Sequence, residues 1–223
     1  MTAAVPAFDG NFATAEPALL GAASALTGLS DFGDAAEYLP GLKKLLQSLH
    51  QEVKFTPMGA QVGFGALLGP LAGRLHAVEG WKRRPDCLTR PITAPVMILG
   101  VPRTGTTALY HLLWLDPQFQ GPEMWLIDAP MPRPPRDTWS DNPAHQFSAA
   151  SIAALLQAAP GFAVAHPRDP NLPDECLDIL KQCYANNLWG TMFPVPSYDA
   201  WWPRQDHLRQ YRYLYRVLQL IGA

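Results

Sequence analysis

Leucines set the first rhythm in the chain: Leu42, Leu45, Leu46, Leu49 and Val53 recur every three or four residues from Pro40 onward. That spacing lines one face of an amphipathic helix. A second helix is expected from Pro57, with Val62, Leu67, Leu68, Leu71, Leu75 and Val78 on its inner face and Trp81-Lys82-Arg83-Arg84-Pro85 at its end. Glycines at 59, 63, 65, 69 and 73 work against it, each costing about 1 kcal/mol relative to Ala. Upstream, Glu16 to Leu29 is rich in Ala and Leu and weakly helical, with Pro17 tolerated in a first turn. Ser30 to Asp34 reads as a turn.

The pattern changes at Val96-Met97-Ile98-Leu99, a short apolar run between Pro95 and Gly100 that suits a buried strand better than a helix. From Thr104 the spacing turns helical through Leu109, Leu112, Leu113 and Leu115. Asp116-Pro117 stops that helix, because proline restricts the residue before it and cannot continue the ladder. The expected order is strand, tight loop, helix, with the loop running from Gly100 to Thr107. Prolines at 122, 130, 132, 134, 135 and 143 break the next stretch, in which Glu123 to Ile127 reads as a short strand or sheet edge. Further helices are expected over Gln146 to Ala159, from Pro173 through Leu177, Leu180, Cys183, Tyr184 and Leu188, and over His207 to Ile221. On the last, Leu208, Tyr211, Leu214, Tyr215, Leu218 and Ile221 form the apolar face, with Arg209, Arg212 and Arg216 as a solvated stripe. Phe193, Tyr198, Trp201 and Trp202 either wall an apolar site or anchor their loop.

The loop carries the chemistry. Unpaired N–H groups at a helix start, with the positive end of the helix dipole, favour an anion. Gly105 lets the backbone approach a ligand, and Thr106 and Thr107 add hydroxyls. The spacing follows the phosphate loop G-x-x-x-x-G-K-[ST], except that Thr106 stands where the lysine belongs. ATP or GTP hydrolysis relies on that ammonium to reach the outer phosphates. Arg103 is the cation inside the loop, and a guanidinium holds two oxygens of a phosphate or sulfate at once.

The run Pro102-Arg103-Thr104-Gly105-Thr106-Thr107, after a strand and before Leu109-x-x-Leu112-Leu113, resembles the 5′-phosphosulfate loop of sulfotransferases that use 3′-phosphoadenosine 5′-phosphosulfate (PAPS). The likeness is to the bacterial branch with a helical N-terminal extension. It implies an α/β, P-loop-like sulfotransferase fold, mostly helical in this chain, with an incomplete parallel sheet. It implies that Arg103, Thr104, Gly105, Thr106 and Thr107 bind the donor. The implied reaction moves a sulfonate from PAPS, as co-substrate and without a metal, to a hydroxyl or amine of a small apolar or glycosidic acceptor. Glu123 stands close to the place of the family's catalytic base. His166, in a His, spacer, Pro173-Asp174-Glu175-Cys176 run, is the second candidate, since imidazole takes up a proton near neutral pH. A surface carboxylate and a packed or capping histidine are the plainer readings of these residues.

A second signature, an Arg and a Ser about two helical turns on that bind the donor's 3′-phosphate, is not legible: Arg168 is followed by Cys176 rather than a Ser, and Arg133 and Ser140 lie in proline-broken coil. The resemblance therefore covers the N-terminal part of such an enzyme. Residues 1–15 read as a loose N-terminus, 16–90 as a helical extension, and 91–223 as the first part of the nucleotide-binding domain. Parallel strands need neighbours, so one sheet edge is expected to be open. The readings beside this one are a degenerate phosphate-loop kinase or NTPase, and a non-catalytic fragment.

Charge adds mainly exclusions. A net charge of −2 with both signs mixed leaves no basic footprint for nucleic acid. Cys87, Cys176 and Cys183 have no C-x-x-C spacing, and an odd count suits a reducing cytoplasm. Cys176 and Cys183 are expected to pack in the core from one helix face. The start of the chain lacks a positive segment ahead of an apolar core, and no stretch is apolar for long enough to span a bilayer.

Overall fold

Glycine spacing explains how the longest helix sits in the molecule. A computed structural model describes residues 6–101, 104–158, 161 and 168–223. In it, α1 (Ala15–Thr27) and α2 (Leu39–Glu52) are followed by α3 (Pro57–Arg83), 27 residues long. The Thr56 side chain caps α3 by accepting from the Gly59 N–H, and Pro57 takes the first helical position. Gly73 and Gly80 weaken α3 intrinsically but admit close neighbours. A Cβ on Gly73 would stand 2.7 Å from Nε2 of Gln182, and one on Gly80 would stand 2.5 Å from Cδ2 of Leu220. Leu67, Leu68, Leu71, Leu75 and Val78 are buried as the spacing predicts, whereas Val62 is turned to solvent.

Downstream come α4 (Thr106–Trp114), α5 (Met124–Asp128), α6 (Pro143–Ala158), α7 (Cys176–Leu180), α8 (Leu188–Met192), α9 (Pro196–Trp201) and α10 (Leu208–Ile221). Two apolar clusters hold these together. One joins α1, α2 and the first half of α3 to Tyr184, Trp189, Val195 and Tyr198. The other joins the second half of α3 to Trp125, Ile179, Tyr213 and Val217. The N-terminal helices thus share cores with residues far along the chain. Between the clusters, Glu37 takes both Arg74, through Nη2 at 2.7 Å, and Arg216. Arg74 is fully buried, with its guanidinium 4.6 Å from the ring of Tyr38 and 4.7 Å from that of Tyr213.

Several local expectations are corrected. Residues 124–128 form a short helix rather than a strand; only Glu123 makes a β-bridge, antiparallel, to Pro173. Pro173 is spent in that bridge, so the following helix starts at Cys176. That helix does not run on to Leu188: it ends at Leu180, and Tyr184 adopts a left-handed backbone with φ of 54°. As a result Cys183 is buried while Cys176 is exposed. On α10 the buried face is Tyr213, Leu214, Val217, Leu220 and Ile221, with Leu208, Tyr211 and Tyr215 outside. Arg216 is no solvated stripe residue, since Glu37 holds it. The aromatic segment serves as an anchor: Tyr198 is buried, and Phe193, Trp201 and Trp202 pack on the first cluster.

The sheet is incomplete to the point that no ladder forms among the described residues. Val96, Met97 and Leu99 lie outside regular structure and are 61, 68 and 84% exposed. Helix α4 buries none of its residues fully, and Leu112 is 64% exposed. An apolar run gains from strand geometry only when other strands cover its edges and faces. The two stretches together leave an apolar surface of a kind that binds hydrophobic dyes. We expect the chain to enhance 8-anilinonaphthalene-1-sulfonate fluorescence, and the double substitution Leu99→Lys, Leu112→Lys to remove most of that enhancement. An unchanged signal would mean the face is covered in solution. No helix among the described residues is long and apolar enough to cross a membrane.

Candidate functional site

The turn into α4 is built around Gly105. Its φ of +87° lies in the left-handed region, which glycine enters without a Cβ penalty. It stands at the N-cap and brings no side chain to the first N–H groups of α4, while its carbonyl accepts the Leu109 N–H at 3.0 Å. The Thr104 hydroxyl donates to the Val101 carbonyl at 2.7 Å and so folds the loop over itself. A Cβ on Gly100 would meet both Thr104 Oγ1 and Thr106 Cγ2 at 2.7 Å, so the loop closes tightly there. Thr104 and Gly105 are exposed, and Thr106 and Thr107 are half-buried. A helix start whose first amides have no side-chain cap, flanked by hydroxyls, is competent to receive an anion. Arg103 and His166 lie outside the described residues.

Glu123 precedes α5 and is only 3% exposed. Arg133 holds its Oε2 from Nε at 3.0 Å and from Nη2 at 2.8 Å, and also donates to the Gly121 carbonyl. The pair fastens the chain at 121–123 to the proline-broken segment. Arg133 is thereby engaged inside the fold rather than presented to a ligand. The bridge around Glu123 is extended by the Met124 N–H to the Leu172 carbonyl and the Asp174 N–H to the Pro122 carbonyl, both at 3.0 Å.

These bonds bring residues 168–174 against the face of α4 that follows the loop. A small cleft of about 10 Å³ forms there, lined by Thr107, His111, Met124, Arg168, Asp169, Leu172, Pro173 and Asp174. Arg168 leans on Asp178 at 3.6 Å. Tyr110 secures α4 from the neighbouring face, where a Cβ on Gly121 would stand 2.6 Å from its hydroxyl; burial pushes that phenol well above its usual range. Thr107 is therefore brought together with residues the sequence left unassigned, His111 above all. The available signal was its position four residues after Thr107, which in a helix places both on one face. A cavity of about 300 Å³ opens elsewhere, at the start of α3 among Phe8, His50, Phe55 and Pro57, and no loop residue lines it.

Comparison with known proteins bears on the same region. The description of the sulfotransferase family matches residues 95–219, which include the loop, Glu123 and the 168–174 segment. Comparison with curated proteins finds no match. Among solved structures, sulfotransferase STF1 from Mycobacterium tuberculosis is similar with a TM-score of 0.87 and 34% identity, over 95% of this chain and 58% of that one. Sulfotransferase STF9 from Mycobacterium avium is similar with a TM-score of 0.78 and 28% identity, over 96% of this chain and 55% of that one. The chain thus spans a little over half the length of these two enzymes. With more than half of its residues matched by the family description and its fold shared with both enzymes, the chain belongs to the sulfotransferase family.

Proposed function

We propose that this chain carries the donor loop of an enzyme that moves a sulfonate from PAPS to a hydroxyl or amine of a small-molecule acceptor. The observation that carries the reading is the left-handed Gly105 opening α4 beside Thr106 and Thr107, in a family member with no lysine in the loop. The α4 amides, the threonine hydroxyls and Arg103 hold the 5′-phosphate and sulfonate. The acceptor oxygen or nitrogen attacks sulfur in line as the bond from sulfur to the bridging phosphate oxygen breaks. Charge building on that oxygen meets donors already oriented by the loop, which lowers the barrier more than it strengthens ground-state binding. The acceptor's proton passes to a base, for which the resemblance offers Glu123 and His166.

A Mg-nucleotide kinase would need a lysine from outside the loop. Lys181, the single lysine after the loop, is paired with Asp178. Calorimetric titration with 3′-phosphoadenosine 5′-phosphate in the absence of Mg²⁺ tests the reading. Arg103→Ala is expected to weaken binding at least tenfold, about 1.4 kcal/mol. Equal affinity for both proteins would take Arg103 out of the site, and binding that appears only with Mg²⁺ would favour the kinase.

A further inference from the structure

We infer that His111 is the group that takes the acceptor's proton, an assignment that rests on the sulfotransfer reading of the loop. Thr107 and His111 are four residues apart on α4 and line one cleft, so the imidazole lies one helical turn from the donor-binding hydroxyl. Arg168, Asp169 and Asp174 line the same cleft. From the α5 side the cleft receives Met124, with the Glu123 carboxylate turned into its ion pair with Arg133. His111 is half-buried, so it is neither sealed in the core nor free in solvent.

Glu123 is held differently. Its Oε2 already accepts two guanidinium nitrogens of Arg133, it is 3% exposed, and it does not line the cleft. In the step itself, the acceptor hydroxyl forms the new oxygen–sulfur bond and its proton moves to a ring nitrogen of His111. The sulfur–oxygen bond to the donor phosphate breaks, and 3′-phosphoadenosine 5′-phosphate leaves with the bonding electron pair.

The test uses water as the acceptor, so that the natural one need not be known. Sulfate release from PAPS by the 223-residue chain is followed between pH 6 and pH 9, alongside calorimetric binding of 3′-phosphoadenosine 5′-phosphate. His111→Asn is expected to slow release on the order of 100-fold and to remove its rise with pH, as loss of a general base does. Nucleotide affinity should stay within about twofold of wild type, because the loop amides that bind the donor are untouched. Glu123→Gln serves as the comparison. Wild-type rate and pH profile in His111→Asn, or the loss appearing only in Glu123→Gln, overturns the assignment while nucleotide binding keeps the sulfotransfer reading standing. Release no faster than in buffer overturns it as well. Failure of 3′-phosphoadenosine 5′-phosphate to bind wild type at all instead removes the reading on which it rests.

Discussion

Glu37→Gln is expected to destabilise the chain by about 3 kcal/mol or more, the cost of leaving a buried cation without its partner. Arg74 is fully buried; its Nε donates to the Phe32 carbonyl at 2.6 Å, and Glu37 supplies the negative charge facing it. The same carboxylate holds Arg216, whose guanidinium lies 4.6 Å from the Trp81 ring, so one substitution releases two arginines. Because Glu37 precedes α2, Arg74 lies on α3 and Arg216 on α10, the loss is spread over three elements. Thermal unfolding followed by circular dichroism should show a fall of roughly 6–12 °C for a chain of this size. A fall of less than 2 °C would show that the network is relaxed or hydrated and contributes little net stability. Arg216→Met alone should cost less, because the Glu37 to Arg74 contact would survive.

Trp125→Ala is expected to cost about 3–5 kcal/mol through lost burial and the cavity left behind. Trp125 is fully buried at the centre of the second cluster, with its ring 5.7 Å from those of Trp139 and His145. Loss of that magnitude approaches the whole stability of many domains. Chemical denaturation should therefore show a lower midpoint with a similar slope, since the surface exposed on unfolding changes little. Trp125→Phe should recover more than half of the loss. If Phe behaved like Ala, the effect would lie in the indole contacts with Trp139 and His145 rather than in filled volume. The substitution also bears on the cleft, because Met124, the residue just before it, donates its N–H to the Leu172 carbonyl.

These two substitutions mark where sequence reading stops. Periodicity placed α2, α3 and α10 correctly because each carries an apolar stripe that a helix buries on one side, and it placed α4 although that helix's stripe stays uncovered. It missed Glu37, Arg74 and Arg216 because their pairing joins residues up to 179 positions apart, and nothing local distinguishes a buried guanidinium from a solvated one. The same limit applies to Glu123. The resemblance singled it out, but its burial and its pairing with Arg133 appear only in the folded chain, beside the bridge to Pro173 fifty residues on. His111 carried no motif; only the folding back of residues 168–174 gives it a cleft to line.

The sequence alone settled what is local. Gly105 followed by two threonines and a leucine-rich stretch can hardly do other than start a helix with bare amides, because the left-handed turn and the apolar stripe are written into adjacent residues. The family resemblance of Arg103 to Thr107 rests on the same few positions, and the comparison with known sulfotransferases agrees with it. Tertiary structure decided everything that depends on partners distant in the chain. It turned Glu123 to Ile127 from a strand into a helix behind a single bridge, ended the 176–180 helix early, and left Val96 to Leu99 uncovered. A strand is stabilised by neighbours, and a buried charge by its counter-charge; neither can be read from the residue that needs them.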